Sequence, residues 1–394
     1  MATTTSYIDS SGSGANDYPS LSAWRAAITG GSYDQNQIVI VKEDTTDNLS
    51  LTGWPSAVNI TIKSDIPGVK RTVFSKHNGN QMVYSGSANI SALTIEDIIF
   101  DGAGDGLSGN TGQAGTRAGI TTTNGTDTLT LRRVHIKNVT QHAVLVWYDS
   151  DTATLNCDNC IFESPTGSAY RGARDTTTAT FRNCLFVKCG SAAQNCRQGD
   201  PDAEDPWFVA TNVGNYYNCL SFDNGGADFA DANQVATTNV RYCVSKDSTA
   251  ADPNHDDNTG SVGGKTATGT YFTDYAGGDY TLAQDDFSSW AINGDSANTP
   301  ARDFDYRSRV NDDIGPYDYV SLASVASLAP SLLKPGLTTP DRSNLKPSLT
   351  SSTYTGGTPG ESSEVKPSLV DKEGNLKAGL TTPDGSELKP SLKK

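Results

Sequence analysis

Six short segments put an apolar residue or a cysteine at one recurring position. They are Ile98-Ile99-Phe100, Val134-His135-Ile136, Cys160-Ile161-Phe162, Cys184-Leu185-Phe186, Cys219-Leu220-Ser221 and Cys243-Val244-Ser245. Their first residues, Ile98, Val134, Cys160, Cys184, Cys219 and Cys243, are 36, 26, 24, 35 and 24 positions apart. Such a period is that of a solenoid, in which one supersecondary unit stacks on the next. The segments are rich in β-branched and aromatic residues and are flanked by Gly, Asn, Asp or Thr. Helical patterns do not intervene, so βαβ units are excluded, and parallel strands without crossover helices wind into a parallel β-helix. The six ladder positions are expected to stack coil on coil in one interior core, the cysteines acting as small buried apolar residues.

Within a triplet such as Cys184-Leu185-Phe186 the first and third residues share a face. His135 therefore points outward, between inward Val134 and Ile136. Further strands are read at 37–42, 58–63, 93–101, 129–139, 153–163, 179–188, 216–222 and 238–245. The spacing of three between Ile95 and Ile98 breaks the two-residue period and places a corner there. Asn159, Asn183 and Asn218 each precede a ladder cysteine, and their amides are expected to hydrogen-bond from coil to coil. Near the start, Leu21, Trp24 and Ile28 fall on one helical face with Ser20 positioned to cap it. A short helix here would cover the open end of the solenoid.

The repeating Thr-x-x-x-Asn-Cys-Leu-Phe rungs resemble the right-handed parallel β-helix proteins of the pectate-lyase-like class. The segment Asp303-Phe304-Asp305-Tyr306-Arg307, with Asp313-Ile314-Gly315-Pro316-Tyr317-Asp318, is similar to the last coil of many such proteins. The resemblance covers roughly residues 1–319. It implies an all-β right-handed parallel β-helix (solenoid), to which the residues themselves add an N-terminal capping helix and an extended Pro/Leu-rich C-terminal tail. Residues 1–35 form the cap, 36–319 the β-helix and 320–394 the tail. The class holds lyases, hydrolases, adhesins and viral spikes, so fold alone does not choose among them.

The tail has a different composition. Its repeating units are Leu333-Lys334-Pro335-Gly336-Leu337, Leu345-Lys346-Pro347-Ser348-Leu349, Val365-Lys366-Pro367-Ser368-Leu369, Leu376-Lys377-Ala378-Gly379-Leu380 and Leu388-Lys389-Pro390-Ser391-Leu392, with a related Leu328-Ala329-Pro330-Ser331-Leu332. Proline removes donors, and two apolar residues per unit are too few to offset chain entropy, so these units build no core. They read as short extended anchors that dock Leu and Pro side chains on a partner and gain by effective concentration. The 74 residues from Ser321 reach on the order of 230 Å in a polyproline conformation.

The chain carries a formal charge of −15. Nine Lys+Arg and seven Asp+Glu lie from Ser321 onward, leaving 21 against 38 in the body. An acidic body argues against nucleic acid as partner. No run of apolar residues is long enough to span a membrane, and residues 1–6 lack a secretory leader pattern. Seven cysteines without an export signal do not suggest a disulfide framework, and the lone Cys157-x-x-Cys160 pair is no zinc site. Neither a metal nor a cofactor is therefore expected.

For chemistry, a β-helix hydrolase needs two carboxylates about 5–10 Å apart. A lyase needs a Ca²⁺ site and a basic proton acceptor. Asp97, Asp101, Arg132, His135, Arg171, Arg174, Asp175 and Arg182 are the candidates on adjacent rungs, against the plainer reading that they are solvated face residues. His142 reads as a strand-end residue, and the acidic run at 200–205 as a solvated loop. No catalytic residue is assigned. The leading expectation is a structural virion protein of a tailed bacteriophage: a capsid decoration, head fibre or spike. Its tail would bind the major capsid protein or other virion subunits, and a homo-oligomer and a host surface glycan are further expected partners. A polysaccharide lyase or hydrolase and a surface adhesin are the alternatives.

Overall fold

A computed structural model describes residues 2–318 apart from 29–33, 55–56, 75–80, 87–88, 103–118, 123–125, 140–141, 148–152, 164–168, 174–176, 190–212, 226–227, 230–237, 266–271, 283–293 and 310–311. The chain divides into two units, Met1–Ser321 and Leu322–Lys394. The second, with all the expected anchors from Leu333 to Leu392, lies outside the described residues.

The first unit is an all-β stack of parallel strands, the arrangement of a β-solenoid. Ten strands form the first sheet, including Thr3–Ile8, Asn36–Val41, Val58–Ser64, Ile90–Glu96, Thr126–Arg132, Ala153–Asp158, Thr177–Arg182, Val213–Tyr217 and Thr238–Arg241. Eight form the second, among them Arg71–Phe74, Ile98–Asp101, His135–Lys137, Ile161–Glu163, Leu185–Val187, Leu220–Phe222 and Val244–Ser245. Five form the third: Leu49–Ser50, Val83–Ser85, Ile120–Thr122, Val144–Trp147 and Tyr170–Ala173. From Asn36 to Ala173 the chain visits the three sheets in turn, one strand to each per circuit, and the described strands from Thr177 to Ser245 alternate between the first and second sheets. Of the described strand pairs, only Phe272–Asp274 with Asp279–Leu282 is antiparallel, and an isolated antiparallel bridge joins Arg302 and Ser308.

Register aligns His135 with Ile99 and Ile161, Leu185 with Ile161 and Leu220, and Leu220 with Val244. The residue before each is thus Ile98, Val134, Cys160, Cys184, Cys219 and Cys243 in unbroken order, all fully buried in the interior core. Each ladder thiol donates to main-chain carbonyls, as in Cys184 Sγ to Cys157 O at 3.4 Å. The six described cysteines are free. Burial pushes the Cys157, Cys184 and Cys189 thiols up, so they pack as apolar side chains. Phe162 stacks on Phe186 at 5.3 Å and Phe181 on Tyr216 at 5.1 Å, extending the ladder as aromatic pairs.

The helix occupies Leu21–Ile28 with Leu21, Trp24 and Ile28 buried, and Ser20 Oγ accepts from Ala23 N at 3.2 Å. It packs against the first strand and Leu49–Ser50.

Several segments read as single strands are each two strands meeting at one bent residue. Asp97, Arg133, Asn159, Asn183, Asn218 and Tyr242 all have φ between 51° and 57° and stack at the corner between the first and second sheets. Asparagine tolerates the left-handed region because its short polar side chain bonds locally. Three of the six corner residues are asparagine for that reason.

The segment expected to be a last coil is instead a return segment. From Gly294 it runs back along the corner, where Arg302 O accepts from Asn159 Nδ2 at 2.7 Å and Phe304 O accepts from Lys70 Nζ. It then reverses, so that Asp313 O accepts from Asn183 Nδ2 at 2.6 Å and Gly315 N donates to Asn218 O at 2.8 Å. From Ile161 onward the outward position of the second-sheet strands is apolar, at Ile161, Leu185, Leu220 and Val244, and that outer face needs a cover. Ile161, Leu185, Val187, Leu220, Phe222 and Val244 pack in a second core with Phe272, Tyr280, Phe304 and Ile314.

Candidate functional site

Register brings the polar residues of successive rungs into three lines. On the outer face of the first sheet, Lys63, Glu96, Arg132, Asp158 and Arg182 are aligned strand to strand. Opposite charges alternate: Arg132 meets Glu96 at 2.7 Å, and Arg182 meets Asp158 at 3.0 Å. Directly opposed ion pairs of this kind each contribute a few tenths of a kcal/mol, roughly 0.2–1. Arg132 and Arg182 therefore sit in a cross-strand charge ladder.

The second line is the bent corner. Asp97 takes a bidentate bond from Arg133, Nε at 2.8 Å and Nη2 at 3.0 Å, with both side chains buried. Burial lowers the Arg133 pKa, but the Asp97 carboxylate outweighs it and the group ends above its usual value. Asn159, Asn183 and Asn218 continue the line. Among these three asparagines one amide link runs coil to coil, Asn218 Nδ2 to Asn183 Oδ1 at 3.3 Å. The other amide donors go to the return segment, because its main-chain carbonyls lie closer than the next coil. Arg309 reaches into the same line, donating to Asn159 Oδ1 at 2.7 Å and Gly315 O at 2.8 Å.

The third line crosses the far edge of the second sheet. Asp101 accepts from Asn138 Nδ2 at 2.9 Å and meets Lys137 at 3.2 Å. His135 Nε2 donates to Glu163 Oε2 at 3.0 Å, and Tyr280 Oη donates to Glu163 Oε1 at 2.8 Å. Lys188 lies 3.8 Å from Glu163 Oε1 and 4.8 Å from the centre of the Tyr275 ring. Tyr275 Oη donates to Asp223 Oδ2 at 2.7 Å, and Lys246 meets Asp223 Oδ1 at 2.7 Å. His135 is thus not the outward, solvated side chain expected. It does point away from the interior, but only 9% of it is accessible because its face of the sheet is covered. Asp97 and Asp101 are likewise buried rather than solvated.

Chemically, these lines hold structure together. Burial raises the Glu163 carboxyl, but bonds from His135 and Tyr280 outweigh it and the group ends below the usual range. Each Glu163 oxygen has a partner, and a carboxyl held ionised is no proton donor near neutral pH. Asp223 behaves the same way, with Lys246 and Tyr275 overcoming burial. Asp228 is the opposite case, pushed up to about 6 by burial. Its oxygens accept from Lys246 N at 2.7 Å, Asp247 N at 3.0 Å, Ser221 Oγ at 3.0 Å and Asn224 Nδ2 at 2.7 Å. It plugs the space between coils rather than facing a groove.

Asp252 lines a shallow open depression with Ser248, Ala251, Pro253, Gly263 and Gly264. That lining supplies one carboxylate and no basic group. His142 is buried just before the strand Val144–Trp147. Arg174, Asp175, the run 200–205 and the side chain of Arg171 lie outside the described residues. Among the described residues, no cluster of three or more His, Cys, Asp or Glu is arranged to hold a metal ion. No described helix is long and apolar enough to cross a membrane.

Glu163, Lys188, Tyr275, Tyr280, Asp228 and Arg309 were not singled out by the sequence. Their partners lie up to 150 positions away, as between Arg309 and Asn159, and no periodic signal links them. No family model, no curated protein and no solved structure matches the chain.

Proposed function

We propose that the chain is a structural protein of a tailed-bacteriophage particle, a capsid decoration, head fibre or spike. On this reading a right-handed parallel β-helix projects outward as a rigid body. The C-terminal repeats anchor it to the major capsid protein or another virion subunit, and the projecting end is free to meet a host surface glycan. The observation that supports it most is the covered second sheet. The wall on which a β-helix enzyme would build its groove is occupied by Phe272, Tyr280, Phe304 and Ile314 of the chain itself. The carboxylates nearest that wall, Glu163 and Asp223, are tied to cations and tyrosines. Such an arrangement leaves the wall closed by the chain itself, which suits a projection better than an enzyme groove. The repeated Leu-Lys-Pro-Ser-Leu units add the means of fastening it to a lattice.

The test is binding of purified particles lacking the protein by the full chain and by a chain ending at Val320. The full chain is expected to bind at many copies per particle, and the shortened one to stay folded and not bind. Leu→Asp substitution at Leu345, Leu369 and Leu392 in turn should weaken binding stepwise. Equal binding by the shortened chain refutes the anchor. Absence of the protein from particles, together with glycan cleavage by the full chain, would instead establish the polysaccharide enzyme.

A further inference from the structure

In a solenoid each coil touches only its neighbours, so stability is close to a sum of nearest-neighbour terms and an end can open without the middle. The return segment departs from that pattern. Between Gly294 and Gly315 it meets the corner of one coil after another. At the late end Asp295 Oδ2 lies 3.3 Å from Arg241 Nη2, and Asp295 O accepts from Asn218 Nδ2 at 3.1 Å. Thr299 Oγ1 accepts from the same amide at 3.0 Å. Asp313 O and Gly315 O take the Asn183 amide, and Arg302 O takes that of Asn159. Arg133 lies 4.8 Å from the centre of the Tyr306 ring.

The tip of the segment ends on the turn before Arg71–Phe74. There Lys70 Nζ donates to Phe304 O, 234 positions away, and to Gly68 O at 3.3 Å. It stands 3.9 Å from the centre of the Phe304 ring and 3.6 Å from Asp305, with 9% of its side chain accessible. Gly68 has φ 83°, and a Cβ there would stand 2.7 Å from both Asp305 O and Tyr306 Cβ. The turn therefore admits the tip because residue 68 has no side chain. Arg309 ties the outgoing and returning limbs together. Its guanidinium donates to Asn159 Oδ1 at 2.7 Å and to Asp313 O, Gly315 O and Pro316 O at 3.2, 2.8 and 3.0 Å.

We infer that the return segment is a clamp that makes the coils from Lys70 to Arg241 open as one cooperative unit, with the turn at Lys70 as its latch. One segment bonded to coils that are not neighbours couples them directly. No coil in the span opens without releasing the clamp, and releasing it exposes Leu185, Leu220 and Phe222 to water. The inference does not depend on the virion reading.

Native-state hydrogen exchange on the full chain, in urea below the unfolding transition, reads opening strand by strand. In the native chain Arg71–Phe74, Ile161–Glu163, Leu220–Phe222 and Val244–Ser245 should share one opening constant. Asn159→Gly, Asn183→Gly and Asn218→Gly combined keep the left-handed bends and remove the side-chain ties. In that triple variant Val244–Ser245 should open at least about tenfold more readily than Arg71–Phe74. Lys70→Met, which keeps the alkyl stem over Phe304, should raise opening at Leu220–Phe222 by the same factor as at Arg71–Phe74. Protection in the native chain that falls off progressively toward Val244–Ser245 overturns the clamp. So does a triple variant that still opens as one unit, or a Lys70→Met effect confined to Arg71–Phe74.

Discussion

At Asn183 one side chain does two jobs. Its backbone sits at φ 53°, and its amide donates to Asp313 O and Gly315 O. Asn183→Gly keeps the bend and loses the bonds, while Arg309 still donates to both carbonyls, so the cost is that of the lost hydrogen bonds, about 0.5–1.5 kcal/mol. Asn183→Ala adds the left-handed strain of roughly 1–2 kcal/mol. Urea unfolding should therefore rank native above Gly above Ala. Asp228 makes a pH prediction of opposite sign to the usual carboxylate. Its folded pKa, about 6, lies above the ordinary 3.8, so the folded state holds the proton more tightly than the unfolded one. The stabilisation is complete below the unfolded value and is lost as pH rises to about 6. The thermal midpoint should fall across that window by more in the native chain than in Asp228→Asn, and equal slopes would show that Asp228 does not titrate there.

At the scale of elements, the return segment acts as a strap over an apolar wall. A chain ending at Lys265 lacks Phe272, Tyr280, Phe304 and Ile314, which cover Leu185, Leu220 and Phe222. Burial of each such side chain contributes about 1.5–3 kcal/mol. The shortened chain should bind a hydrophobic dye and aggregate, whereas unchanged solubility and no dye binding would mean that the wall needs no cover. The interior ladder was legible in the sequence because its spacing is periodic. Val134, Cys160 and Cys184 announce themselves by recurrence, and Ser20 with Leu21, Trp24 and Ile28 by helical spacing. The strap was not legible. Leu185 and Leu220 look like ordinary alternation misfires until something is known to lie over them, and the partners of Glu163 follow no repeat. The bent corners were half visible: the slip at Ile95–Ile98 betrayed one, while Asn159, Asn183 and Asn218 read as members of continuous strands.

For the molecule as a whole, residues 1–321 make their own core and Leu322–Lys394 form a separate unit. A chain ending at Val320 should therefore unfold at the same temperature as the full chain, within the error of calorimetry. A lowered midpoint would mean that the tail contributes to the fold. The strap has a further consequence during synthesis. Ile161 and Leu185 leave the ribosome well over a hundred residues ahead of Phe304 and Ile314. At about 5–20 residues per second, the finished rungs wait on the order of ten seconds for their cover. Throughout that interval the nascent stack of strands presents a bare greasy flank to its neighbours on the same polysome, so the moment of greatest vulnerability for this protein falls before its last fifth has been made.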